Sequence, residues 1–217
     1  MSPDRKPPIP VVPPERSRAY LDGLNARRPL DADKEAQHVR DAVHEVVRFV
    51  ARSGDCALYE LAERFGDRLR DGEPIALPEA DWDAAIAQVP ADIRRVLDEA
   101  ATNVHDFAAA MLPCFQAPPA MARHGYEASF RFAPVQSVGC YVPGGRYPLA
   151  STALMTAIPA AVAGVQRIAM VCPNPSPAVL YAAKIAGVQT VYRVGGAQAV
   201  AAFAFGTESV RRADMVV

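Results

Sequence analysis

Residues 137–205 read SVGCYVPGGRYPLASTALMTAIPAAVAGVQRIAMVCPNPSPAVLYAAKIAGVQTVYRVGGAQAVAAFAF. Short apolar runs bounded by Pro or Gly alternate here with longer Ala-rich runs of helical character. That alternation is the βαβαβα rhythm of a parallel sheet with crossover helices. Two strand-to-helix turns carry paired glycines, Gly144-Gly145 and Gly195-Gly196. Such turns are where folds of this kind hold a nucleotide or a phosphate.

The stretch repeats itself once. Ala163-Gly164-Val165-Gln166 precedes the run Arg167 to Val171, and Ala186-Gly187-Val188-Gln189 precedes Thr190 to Val194. Each Gly stands where a helix ends in a left-handed residue, and the β-branched run after it reads as a strand. Two copies are too few for a solenoid. They predict two successive helix–strand units of one sheet.

The rest of the composition sets bounds. A chain of 217 residues can form one large domain or two small ones. Its net charge of −1 gives no electrostatic footprint for nucleic acid or an anionic membrane. The Ala-rich runs are broken by Pro148, Pro159, Pro173 and Lys184, so none reaches the roughly 18 apolar residues of a membrane span. Residues 1–17 form a Pro-rich stretch expected to be disordered. Cys56, Cys114, Cys140 and Cys172 are far apart and lack CxxC pairing, which predicts reduced thiols in a cytoplasmic protein.

Residues 18–134 read as an α-rich first part. Val39, Ala42, Val43, Val46, Val47 and Val50 mark one helical face, with Asp31 or Asp33 as its N-cap. Ser53-Gly54-Asp55 breaks that helix. Asp55 is placed to cap the next one, which is expected to bury Leu58, Leu61 and Phe65 and to stop at Gly66. A short strand is possible at Ile75-Ala76-Leu77. Pro78-Glu79 opens a helix carrying Trp82 and Ile86. Pro90-Ala91-Asp92 opens a long one towards Met111, with Ile93, Val96, Leu97, Ala100, Val104 and Phe107 expected inward and Pro113 ending it. Strands are then expected at Tyr126–Phe132 and Val135–Val142, with the α/β part running from 135 to 217. Ala213 to Val217 looks like a strand just beginning, as if the chain were cut short.

Several chemistries lack their signatures. There is no HExxH, no Cys/His set at zinc spacing, no GxSxG and no Walker A loop. His38, His44 and His105 fall on helices and His124 beside Arg123 in a loop; all four read as structural. The carboxylate pairs Asp33/Glu35 and Glu60/Glu63 have the spacing of solvated helix faces.

Two corners are left. Gly144-Gly145 follows a strand and a Pro, with Arg146-Tyr147 and then Ser151-Thr152 after it. It is either a ligand-holding turn or a tight turn with ordinary caps. At Tyr192-Arg193-Val194-Gly195-Gly196-Ala197-Gln198 a strand leads through two glycines into a helix. Gln198 falls in the first helical turn, and its amide can both donate and accept. The spacing is not GxGxxG, and close helix–strand packing alone would also call for these glycines.

The motifs SVGCYVPGG, STALMTAIPAAVAGV and YRVGGAQAVAAFAFGTESV make the chain resemble the histidinol dehydrogenase family over about residues 135–217. VVRFVARSGDCALYELAERFGD is similar to its N-terminal part more loosely. The resemblance implies an α/β fold, an incomplete Rossmann-like parallel sheet preceded by an α-rich segment. It implies a zinc-dependent, NAD-linked enzyme, an intertwined homodimer that oxidises L-histidinol to L-histidine through an aldehyde. By the resemblance, Tyr141 of YVPGG and Gln198 of GGAQA contact NAD. The family's Asn of GPGN, its zinc ligands (a Gln, an Asp and two His) and its Glu-His acid–base pair match no residue here.

The chain therefore reads as the N-terminal half of such an enzyme, inactive alone, with no catalytic or metal residue of its own. It is expected to be marginal, sticky or partner-dependent, its helices of residues 31–112 lacking sheet partners. Arg146 and Tyr147 stand where biosynthetic members often carry small residues, and this resembles paralogues that oxidise sulfopropanediol. An Arg fork suits a sulfonate better than an imidazole. A non-catalytic nucleotide-binding remnant is the other reading.

Overall fold

The structure is a computed structural model that describes residues 34–67, 69–115, 117–144 and 149–217. Its contacts divide the chain into Met1–His44 and Glu45–Val217. Of the first unit, the described part is the start of helix α1 (Lys34–Phe65), where Gln37 donates to Asp41 at 2.8 Å and Val39 and Val43 are exposed. The Pro-rich tail and the caps at Asp31 and Asp33 lie outside the described residues.

The second unit is built on four parallel strands. They are β3 (Ser137–Tyr141), β4 (Arg167–Val171), β5 (Thr190–Tyr192) and β6 (Met215–Val216). A separate exposed hairpin pairs β1 (Met121–Arg123) with β2 (Tyr126–Ala128). The parallel sheet has the order β5-β4-β3-β6. The chain runs outward from β3 through helices α4 (Ala150–Val162) and α5 (Pro177–Ile185), then returns through α6 (Gly196–Phe205) to the other side of β3. Right-handed crossovers in opposite directions put α4 and α5 on one face and α6 on the other.

Burial along the strands follows this with period two. Val138, Cys140, Ile168, Met170 and Val191 join one core with α4 and α5. Ala169, Val171 and Tyr192 join a second core with α6 and α1. The sequence echo is borne out: Gly164 (φ 88°) and Gly187 (φ 84°) are both left-handed. In each copy the next residue closes the helix end, Val165 N–H donating to Ala160 and Val188 N–H to Ala183, both at 3.0 Å. A left-handed C′ residue is what a glycine there supplies without steric cost.

Of the N-terminal helices, α1 does have a sheet partner, contrary to expectation. Val46, Val50, Leu58 and Leu61 of α1 share the core of Val171 and Tyr192. Helix α2 (Glu79–Ala87) reaches the other core with Trp82, whose Nε1–H donates to the Leu180 carbonyl at 3.0 Å. Ile75–Leu77 contributes one antiparallel bridge, Ala76 to Tyr192, on the outer edge of β5. That edge has room for one more partner, and Leu77 N–H and Arg193 N–H both use it.

Helix α3 runs from Ala91 to Met111 as read, and a 3₁₀ turn, Leu112–Phe115, follows it around Pro113. Three expectations are corrected. The inward stripe of α3 is only Leu97, Ala100, Ala101 and Val104, while Ile93, Val96 and Phe107 are exposed, Phe107 at 71 %. These four pack against the core of α4 and α5, and the remaining large apolar residues point away. Phe65 is likewise exposed, because α1 has already turned its apolar face inward through Leu58 and Leu61. The strand at 126–132 stops at Ala128. Phe130 and Phe132 instead form an edge-to-face group with Phe115, centroids 5.5 and 6.0 Å apart.

All four cysteines are free, Cys56 and Cys114 exposed, Cys140 and Cys172 buried. Burial pushes both inner thiols up, Cys172 to about 11. The thiolate is the nucleophile. An alkylating reagent at pH 7.5 is therefore expected to label two thiols quickly and the other two only after denaturation. Fast labelling at Cys140 or Cys172 in the native chain would contradict the packing described.

Candidate functional site

The crossover after β3 runs to one side and the crossover after β5 returns to the other, so the carboxyl edge between β3 and β6 is the switch point, where ligands of open α/β sheets bind. Three loops meet there. β3 runs out through Val142-Pro143-Gly144, β4 through Cys172-Pro173, and β5 through Arg193-Val194-Gly195. Pro173 fills the space between the two glycine corners. A Cβ on Gly195 would lie 2.7 Å from its Cγ, and one on Gly144 would lie 3.0 Å from its Cδ. The glycines are required by this close approach, whatever else binds there.

Tyr141 is the last residue of β3, on the α6 face two residues beyond Gly139. Its backbone is held by β6, its N–H donating to the Val217 carbonyl at 2.7 Å. Its hydroxyl oxygen accepts the Gly196 N–H at 3.2 Å. Gly196 is left-handed (φ 62°), and a Cβ there would meet Oε1 of Gln198 at 2.6 Å. Gln198 is 2 % exposed in the first turn of α6. Tyr141 and Gln198 are thus brought to one corner, with Gly196 between them. Gly145, Arg146 and Tyr147 lie outside the described residues. Ser151 and Thr152 lie in the first turn of α4, which has no side-chain cap.

Two residues at this corner went unread in the sequence. One is Pro173. The other is Asp67, just past the end of α1, whose N–H donates to Ala62 at 2.8 Å. Burial holds its carboxyl above the ordinary carboxylate range, with the Gly195 backbone opposing, and its charge weighs on Cys172. A carboxylate straight after the helix-ending Gly66 was the available signal.

The histidines stay apart. His105 pairs with its neighbour Asp106 at 3.3 Å in the open, and His124 sits in the β1–β2 turn. Asp55 does not cap its own helix. Its carboxylate takes the Ser209 N–H at 3.2 Å and the Ser209 hydroxyl at 2.5 Å. At the opposite end of the sheet, Ser137 Oγ donates to Asp214 at 2.7 Å and draws that carboxyl below its usual range. Among the described residues no group of three His, Cys, Asp or Glu is placed to hold a metal ion, and no helix is long and apolar enough to cross a membrane.

A three-layer α/β unit with strand order third-second-first-fourth and glycine corners at its switch point is a Rossmann-like, nucleotide-binding class of architecture. The model of one family, histidinol dehydrogenase, matches residues 30–217, and the chain belongs to that family. It is 41 % identical over 208 residues to the histidinol dehydrogenase of Cereibacter sphaeroides, covering 89 % of this chain and 47 % of that one. It is 41 % identical over 206 residues to the one from Caulobacter vibrioides, covering 94 % and 46 %. The crystal structure of histidinol dehydrogenase from Elizabethkingia anophelis superposes with a TM-score of 0.73 at 31 % identity, covering 87 % of this chain and 43 % of that one. The chain spans about half the length of the curated relatives it matches.

Proposed function

We propose that this chain forms the cofactor-holding half of an NAD- and zinc-dependent dehydrogenase that oxidises L-histidinol to L-histidine, with Tyr141 and Gln198 as its contacts to NAD. The observation that carries the reading is the corner itself. The Tyr141 hydroxyl already accepts the Gly196 N–H. Its own proton therefore points to another acceptor, and an oxygen of the dinucleotide suits it. The Gln198 amide beside it supplies both a donor and an acceptor. NAD, when bound, takes up the hydride released from the alcohol carbon. The residues present here bind and orient; none serves as base.

Zinc does not fit the described residues, which include no group of three His, Cys, Asp or Glu placed to hold it. Its ligands and the acid–base pair are placed outside these 217 residues in the assembled enzyme. The relatives reported above are named histidinol dehydrogenases, which favours histidinol over a sulfonated diol; turnover of the two by a full-length protein separates them. We also place the working protein in the cytoplasm as a homodimer. Free thiols support the first, and the exposed apolar face of α3 supports the second.

Calorimetric titration with NAD tests the reading. Tyr141→Phe removes one neutral hydrogen bond, about 0.5–1.5 kcal/mol, or roughly 2- to 13-fold in affinity. Gln198→Ala leaves a buried corner short of its polar group and is expected to cost about 1–3 kcal/mol. Unchanged affinity in both variants would overturn the assignment. A non-catalytic remnant would bind NAD equally well and differ in showing no turnover within a full-length assembly.

A further inference from the structure

Strand β6 (Met215–Val216) is the shortest of the sheet and lies at its edge. Its side chains bury little. Met215 and Val217 are exposed, and Val216 is only partly buried against the core of α1 and α6. Hydrogen bonds therefore carry most of its seating on β3. Val217 N–H donates to the Gly139 carbonyl at 3.0 Å, and Tyr141 N–H donates to the Val217 carbonyl at 2.7 Å. At the other end Ser137, 5 % exposed, closes a ring with Asp214. The Ser137 hydroxyl donates to the Asp214 carboxylate at 2.7 Å and accepts the Asp214 N–H at 3.0 Å. That N–H also reaches the Ser137 carbonyl at 3.2 Å. Arg167 of β4 donates to the Arg212 carbonyl shortly before Asp214, so three chain segments meet at this end. The Ser137 bond, aided by the charges of Arg167 and Arg212, keeps the carboxyl below its ordinary range, hence ionised at neutral pH. A hydrogen bond to an ionised acceptor is the stronger kind.

We propose that Asp214, acting through Ser137, is a positioning residue for Tyr141: it seats β6, and β6 holds the end of β3 from which the Tyr141 hydroxyl reaches Gly196. The proposal rests on the reading of Tyr141 as an NAD contact. Tyr141 N–H has its partner on the β6 side. On the β4 side the strand is held one residue on, by Val142 N–H donating to the Val171 carbonyl at 3.0 Å. Release of β6 therefore leaves β3 in the sheet and frees Tyr141 on one side. A hydroxyl that accepts the Gly196 N–H at 3.2 Å and also donates to a ligand tolerates little of that freedom.

The test follows amide hydrogen exchange and NAD affinity in Asp214→Ala, Asp214→Asn and Ser137→Ala, with thermal melts alongside. Asp214→Ala is expected to speed exchange at the Tyr141 amide about tenfold while Val142 stays as protected as before. NAD is expected to bind about three- to tenfold more weakly. Asp214→Asn keeps an oxygen for the Ser137 hydroxyl and is expected to recover both to within about threefold of the unsubstituted chain. If Asp214→Ala does not fold, Ser137→Ala carries the same test, since the Asp214 N–H keeps the Ser137 carbonyl. The deciding comparison repeats Asp214→Ala in a Tyr141→Phe chain, where the hydroxyl is gone. There it is expected to change NAD affinity by less than about twofold, because the two act through one contact. Equal loss in both backgrounds would mean general loosening of the fold and would overturn the proposal. So would unchanged exchange at Tyr141, or unchanged NAD affinity in a chain that Tyr141→Phe weakens. If Tyr141→Phe alone leaves NAD affinity unchanged, the functional reading falls and takes this proposal with it.

Discussion

Phe203→Ala is expected to destabilise the chain by about 3–5 kcal/mol, the usual cost of emptying a buried aromatic site. The ring is wholly buried and stands directly on β3. A Cβ on Gly139 would lie 2.6 and 2.7 Å from its Cγ and Cε2, so strand backbone and ring already touch with nothing between them. On its other side the ring meets Tyr192 edge-to-face, centroids 5.9 Å apart at 75°. Its carbonyl also accepts the Ala213 N–H at 2.8 Å, which starts the turn into β6. For a chain of this length the loss corresponds to roughly 6–20 °C in melting temperature. Phe203→Leu should recover a good part of it. The same helix carries Gln198 at its other end, so NAD affinity should fall in the Ala variant before the melt is reached. A shift below about 2 °C would mean that α6 does not rest on β3, and the corner at Tyr141 would lose its foundation.

The elements legible in the sequence are those set by local chemistry. Gly164 and Gly187 fix two helix ends because only a residue free at positive φ closes the turn so tightly, and the β-branched runs after them can do little but pair. Pro90 opens α3 where expected, since its missing N–H costs nothing at a helix start. Expectations failed where the outcome depends on a distant partner. Val96 and Phe107 lie on an apolar stripe, but periodicity shows only that a stripe exists, not how much of it α4 and α5 can cover. Asp55 looked like a cap for its own helix; its partners lie more than 150 residues away, at Glu208 and Ser209. Helix α1 looked partnerless because the sheet face it covers is formed a hundred residues later. The corner divides in the same way. Its glycines were legible, and so were Tyr141 and Gln198 through the family motifs. That Tyr141 caps Gly196 depends on strand order, and Pro173 and Asp67 enter only once three loops converge.

Gly54→Ala is expected to cost about 2–5 kcal/mol, by a different route from the loss of Phe203. Gly54 interrupts α1 at φ 54°, ψ −131°, a conformation open to glycine and strained for any residue with a Cβ. That strain alone is about 1–3 kcal/mol. The added methyl would also lie 2.8 Å from Oε1 and 2.9 Å from Cδ of Glu208. Glu208 can swing away only by giving up the Asp55 N–H, which its carboxylate accepts at 2.8 Å. Asp55 in turn holds Ser209, and Thr207 and Val210 close the same loop, with Val210 N–H donating to the Thr207 hydroxyl at 3.0 Å. Displacing Glu208 therefore disturbs the turn between α6 and β6, and β6 is the strand that pins Tyr141. Releasing these bonds adds about 1–2 kcal/mol. The two contributions separate in a double-mutant cycle. Glu208→Ala makes room for the methyl, so the double variant should be less destabilised than the sum of the singles by about that second amount. Additive singles would show that backbone strain alone makes glycine necessary at the kink, and that the loop before β6 is held without it.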